Sequence, residues 1–100
     1  MSSAKFINVH PGELLREEFL KPMGITAYRL AKSTQLPPQR VNQIVNEKRG
    51  ITVDTDLRLC AFFGLTPGYW LRVQLAHDLR AALHTIGPKI KAEIQPLKAA

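Results

Sequence analysis

The sequence is short of several things at once. It holds one cysteine in 100 residues, Cys60, so no disulfide can form within the chain, which fits a reducing compartment. No apolar run approaches the ~18 residues that a membrane-spanning helix needs. The opening MSSAKFINVHPGE lacks the basic-then-apolar layout of a secretory leader. A cytoplasmic protein without a membrane partner is the expectation. Apolar–polar alternation never runs far, which argues against a β fold, and no glycine-rich loop is present to cradle a phosphate. Acids are also scarce. Eight Asp and Glu stand against fourteen Lys and Arg, for a formal charge of +6 and a pI near 9.9. That excess favours polyanionic partners through field and counterion release, although many small basic proteins bind none.

What is present is helical. Apolar residues at 45% and charged ones at 22% suit one domain with one modest core. HPGELLREEFLKPMG has Pro11 and Glu13 in a first turn and a stripe of Leu15 and Phe19, widened by Leu14 and Leu20; Pro22 and Gly24 end or distort it. Thr26 is placed to cap AYRLAKST, with Leu30 and Ala31 inward. Pro38 suits the first position of a third helix that Gly50 is placed to stop. In ITVDTDLRLCAFFG, Thr52 or Asp54 is the cap. The inward side there is Leu57, Cys60 or Ala61, and the Phe62–Phe63 pair, with Gly64 at the end. A long fifth helix starts near Thr66 and Pro67 and runs through Trp70 to Ile86, where Gly87 and Pro88 break it. Residues 1–87 then form the domain, and 88–100 a short basic tail.

The stretch LPPQRVNQIVNEKRG carries the functional signal. At ~100° per residue, Val41, Ile44 and Val45 gather on one side of the helix. Gln39, Gln43 and Asn46 fall opposite, flanked by Arg40 and Asn42. This ridge has no acid before Glu47. Glutamine and asparagine can pair bidentately with adenine and arginine with guanine, and a helix of this width enters the major groove. A merely solvated polar face is the bland alternative. The preceding helix weighs against it: TAYRLAKSTQLPPQRVNQIVN reads as helix, turn at Thr34–Gln35–Leu36, helix, the layout of a helix-turn-helix. Gln35 stands where glycine is common.

Roles follow from that placement. Gln39 and Gln43 are candidates for base edges, with Arg40 and Asn42 second. Thr26, Tyr28 and Arg29, at a helix start, are candidates for phosphate, as are Pro38, Asn46, Lys48 and Arg49. On the fifth helix Leu75, Leu79, Ala82, Leu83 and Ile86 make a stripe that pairs with a second copy or packs back on Trp70 and the first helix. No metal, cofactor, small-molecule substrate or enzymatic centre is expected. His77 and His84 lie two turns apart without a Cys or acid at a ligand spacing, and Glu17 and Glu18 are adjacent, so they point to different sides of a helix. Cys60 and Trp70 read as core.

HPGELLREEFLKPMGIT, RLAK, LPPQRVNQIVNEKRGIT, DTDLRLCAFFG and YWLRVQLAHDLR together resemble the HigA-type antitoxins of the lambda-repressor-like (Cro/C1, xenobiotic-response-element) helix-turn-helix class. The likeness spans about His10 to Arg80. It implies an all-α, five-helix DNA-binding domain with a C-terminal helical extension. It also implies a homodimer that binds a palindromic operator, represses its own toxin–antitoxin operon and neutralises a small RelE-like mRNA-cleaving toxin. The family's DNA-facing positions fall on Pro38, Gln39, Gln43 and Asn46, of which Pro38 has no side-chain donor. The basic tail suits a basic toxin poorly, so the acids of the first helix, Glu13, Glu17 and Glu18, are the expected toxin contacts. A repressor with no toxin, or a protein-interaction module, are the alternatives.

Overall fold

The computed structural model describes residues 8–98, so the leader reading, which falls largely on Met1–Ile7, lies outside the described residues. Among the described residues there are six helices and no strand. Helix α1 covers residues 11–23 in three consecutive stretches: α-helical Pro11–Leu14, π-helical Leu15–Leu20 and α-helical Lys21–Met23. His10 caps its start, with Nδ1 accepting from the Gly12 N–H at 2.8 Å. Pro22 offers no N–H to the preceding turn, and the backbone widens just before it, with the Lys21 N–H donating to the Arg16 carbonyl five residues back. Gly24, at φ 65°, ends the helix.

Helices α2 (Ala27–Thr34) and α3 (Pro38–Val45) pack closely against each other. Thr26 caps α2 by accepting from the Arg29 N–H at 3.0 Å. Gln35 takes the left-handed conformation at φ 59°, and the Leu36 N–H returns to the Ala31 carbonyl. The chain therefore turns where glycine is usual, with a residue that bears a side chain. Helix α4 (Val53–Phe63) is capped by Thr52, accepting from the Thr55 N–H, and not by Asp54. Helix α5 is Tyr69–Thr85 and α6 is Gly87–Glu93.

One core serves all of this. Leu15, Leu30, Ala31, Val41, Ile44, Leu59, Cys60 and Trp70 are each at most 1% exposed, and a large aliphatic or aromatic side chain buried so contributes about 1.5–3 kcal/mol. Phe19 lies 5.0 Å from Trp70 and 4.9 Å from Phe63, ring centre to ring centre, and ties α1 to α4 and α5. Gly12 sits where a Cβ would overlap the Ile44 carbonyl oxygen, so only glycine lets α1 approach α3 this closely.

Four sequence expectations are corrected. The segment after Gly87 is not a plain tail, because Pro88 sits in the first turn of α6, where its fixed φ and missing N–H suit a helix start, and so it opens a helix as well as ending one. Gly50 does not stop α3: the helix ends at Val45, and Glu47 takes the left-handed turn at φ 61°. Gly50 instead leaves room for the Gln74 amide, which would meet a Cβ at 2.7 Å. Leu57 is exposed, and Leu59 occupies the buried place on α4. The stripe on α5 does not pack back on Trp70, since Leu75, Leu79, Leu83 and Ile86 are all more than half exposed.

Candidate nucleic-acid interface

Helix α3 places its three aliphatic residues, Val41, Ile44 and Val45, in the core, so its other sides must face outward. Gln39, Asn42 and Asn46 are exposed, and Arg40 and Gln43 are half-buried at the edges of the ridge. Neighbouring elements hold the C-terminal end of this helix and the chain that leaves it. Arg16, on α1, reaches past Glu17 and donates to the Val45 carbonyl, one of the acceptors that a helix C-terminus leaves open. The same guanidinium pairs with Glu17 at 2.9 Å and with Glu47 at 3.3 Å. The Glu17 contact chiefly, helped by Glu47, pushes its pKa up, and the guanidinium stays charged. Gln74, on α5, accepts from the Ile51 N–H at 2.8 Å and fixes the chain leaving α3.

The cations around the ridge are not all free. Arg40 lies 3.6 Å from Asp54, which also binds Arg58 at 3.1 Å, while Arg58 donates onward to the Thr34 carbonyl at the end of α2. Arg40 is thus held toward the start of α4, beside the ridge. Arg49 donates from Nε to the Gln43 Oε1 at 2.7 Å. Lys48 stands exposed at the C-terminal end of α3. At the start of α2, Tyr28 and Arg29 are exposed beside the Thr26 cap, with the Lys32 ammonium 5.7 Å from the Tyr28 ring centre. Pro38, at the first position of α3, is exposed and has no donor.

A family model for the helix-turn-helix matches residues 17–70, just over half the chain. The chain belongs to the helix-turn-helix family, in its HigA-like branch. It is 55% identical over 74% of its length to virulence-associated protein I of Dichelobacter nodosus, covering 68% of that protein. It is 38% identical to antitoxin HigA-1 of Vibrio cholerae over 79% of its own length and 74% of that protein's. Among solved structures, Pseudomonas aeruginosa antitoxin HigA with the higBA promoter superposes with a TM-score of 0.88 at 37% identity, covering 92% of this chain and all of that one.

In this HigA-like chain the other expected sites separate. The stripe of Leu75, Leu79, Ala82, Leu83 and Ile86 lies on the side of α5 that turns away from the core. Its last four residues, Leu79, Ala82, Leu83 and Ile86, line an apolar cleft of about 630 Å³ with Pro88 and Ile90 of α6. The acids of α1 line a smaller groove of about 350 Å³ together with Val9 and Leu14. Glu17 there is already bound to Arg16 and Lys21, which hold its carboxyl below the usual range, so Glu13 and Glu18 carry the charge that is open to a partner. Among the described residues no cluster of His, Cys, Asp or Glu has the makings of a metal site, and no helix is long and apolar enough to cross a membrane.

Sequence patterning missed Arg16, Gln74 and Asp56. The Asp56 carboxylate is fully buried and accepts from the Gly68, Trp70 and Leu71 N–H groups at 2.7, 2.8 and 3.1 Å. It caps α5 from a different helix, in place of a cap that Gly68 cannot supply. Only its position, one residue off the apolar stripe of α4, hinted at burial.

Proposed function

We propose that this protein is a binding protein rather than an enzyme: a homodimeric repressor that inserts α3 of each copy into the major groove of a palindromic operator, and the antitoxin of a small RelE-like toxin encoded beside it. The observation that carries the proposal is the outward face of α3. Four amide side chains, Gln39, Asn42, Gln43 and Asn46, stand on a helix whose apolar side is locked into the core, with cations beside them. A solvated face needs no such acid-free ridge, whereas groove entry does. Thr26, Tyr28 and Arg29 would then meet one phosphate strand and Lys48 the other, setting register while the ridge reads sequence.

Two copies are needed because one such helix contacts few base pairs. Two-fold pairing places two of them about 34 Å apart on one side of the duplex. The exposed leucines of α5 are the pairing surface this assigns. The P. aeruginosa antitoxin HigA solved with the higBA promoter, with the same fold, supports the DNA reading. The acidic groove on α1, centred on Glu13 and Glu18, supplies a folded surface for a basic toxin on a face separate from the α3 ridge.

Operator binding by the wild type and by Gln43→Ala, titrated at several salt concentrations, tests the DNA part. Discrimination between operator and random duplex should fall by roughly ten-fold, the loss of one base contact. The slope of log affinity against log salt should hardly change. A variant that discriminates as well as the wild type would remove Gln43 from the reading set.

A further inference from the structure

Gln43 does not face the groove with both halves of its amide equally available. Its Oε1 accepts a hydrogen bond from Arg49 Nε at 2.7 Å. A guanidinium has only donors, so the amide oxygen must face it and the NH2 group must face away. The contact depends on the turn after α3. Along a straight helix Arg49 would lie about 9 Å beyond Gln43. The left-handed Glu47 at φ 61° turns the chain, and the Lys48 N–H closes on the Gln43 carbonyl at 2.7 Å, bringing Arg49 back over the ridge. Arg16 holds Glu47 in turn, through the ion pair at 3.3 Å.

We infer that Arg49 is a specificity-determining residue that acts through Gln43, converting a two-way amide into a donor-only probe that selects guanine over adenine. The inference rests on the reading of Gln43 as a base contact. Bidentate pairing with adenine requires the amide oxygen to accept from the N6 amino group while the NH2 donates to N7. Here Arg49 occupies one lone pair of that oxygen, and its cation repels the positive edge of an amino group that would approach the other. Guanine presents two acceptors, O6 and N7, to the two outward N–H bonds, and the neighbouring charge favours that edge. Thymine, with one acceptor, ranks between them. Arg49 is a positioning residue in this scheme, and its role differs from that of a phosphate clamp.

Base preferences in a randomised half-site pool, read for the wild type, Arg49→Ala, Gln43→Ala and the double variant over a salt series, test this. Arg49 is exposed, so its removal leaves the core intact. The position whose preference flattens in Gln43→Ala identifies the base read. There the wild type should favour guanine, and Arg49→Ala should shift the guanine-to-adenine ratio toward adenine by roughly ten-fold. In the Gln43→Ala background, Arg49→Ala should leave the ratio at that position unchanged. If Arg49→Ala only weakens binding to every sequence alike and lowers the salt slope by about one, Arg49 is a clamp and the inference is overturned. No flattened position in Gln43→Ala also overturns it. A wild type that selects no sequence overturns the operator-binding reading, and this inference with it.

Discussion

The chain before Trp70 and the chain after it use similar residues to opposite ends. Every fully buried residue among the described ones lies between Pro11 and Trp70. Beyond Trp70, Leu75, Leu79, Leu83, Ile86, Ile90, Ile94 and Leu97 are all nearly half exposed or more. The first region closes its apolar faces on one another through α1, α3 and α4. The second leaves α5 projecting with α6 folded beside it. The Cα radius of gyration, 17.0 Å, exceeds the ~13 Å expected of a compact domain of this length. A row of exposed leucines on a projecting helix is costly in water, so the contrast marks the face that the proposed pairing would cover. Apolar patterning alone does not distinguish a core from an interface, and the difference is set by what each face meets in its own chain.

The joint between the two regions is Asp56, and breaking it gives the largest expected effect. Asp56→Ala would leave the buried Trp70 N–H and the part-buried Gly68 and Leu71 N–H groups at the start of α5 without their acceptor, a buried one costing about 1–3 kcal/mol. The total, about 3 kcal/mol or more, is a large share of the stability of a small domain. Urea denaturation should show a midpoint far below that of the wild type. Asp56→Asn, which keeps an acceptor oxygen, should recover part of the loss. Equal midpoints for the wild type and Asp56→Ala would mean that α5 is held by its aromatic contacts and the Gln74–Ile51 hydrogen bond without help from Asp56.

The second region gives the next effect, and of a different kind. Leu79→Lys with Leu83→Lys changes side chains that are more than half exposed, so unfolding of the isolated chain should be little altered. Pairing should fail instead. Sedimentation at micromolar concentration should show monomers, and operator affinity should fall about a hundred-fold or more as the second half-site contact ceases to be intramolecular. Retention of a dimer would place the two-fold axis on another face.

These two cases also mark how much could be read in advance. The helix-turn-helix, the Thr26 cap, the Gly64 stop and the inward Val41, Ile44 and Val45 were legible because each is a local pattern with a period of 3.6 or a cap at a fixed offset. Asp56, Arg16, Gln74 and Gly12 were not, since each meets a partner 12 to 32 residues away that no local spacing encodes. Leu57 faces outward because the buried side of α4 runs through Asp56, Leu59 and Cys60, and Pro88 both ends one helix and begins the next. The ridge on α3 was visible as composition, but the binding of Gln43 by Arg49 needed the Glu47 turn to be seen.

The smallest effect sharpens the boundary from the other side, where the start of α1 touches α5. The His10 and His77 rings meet edge to face at 4.9 Å, and Asn8 donates to the His77 carbonyl. Burial first, then the His77 ring and Arg16, push the His10 pKa below its ordinary 6.5, while Glu47 and Asp78 pull the other way without reversing it. The neutral ring is also the capping form, because Nδ1 must accept from Gly12. A protonated His10 loses that cap, and the unfolded chain binds the proton more readily than the folded one. Stability therefore rises with pH across this window: the contribution is complete above about 6.5 and is lost as pH falls through the lower folded value. Urea midpoints at pH 7.5 and 5.5 should separate for the wild type and draw closer for His10→Asn, which caps a helix without titrating. If both proteins lose the same stability over that range, the contact between α1 and α5 is indifferent to charge, and the two regions are joined at Asp56, at the Gln74–Ile51 hydrogen bond and at the aromatic cluster.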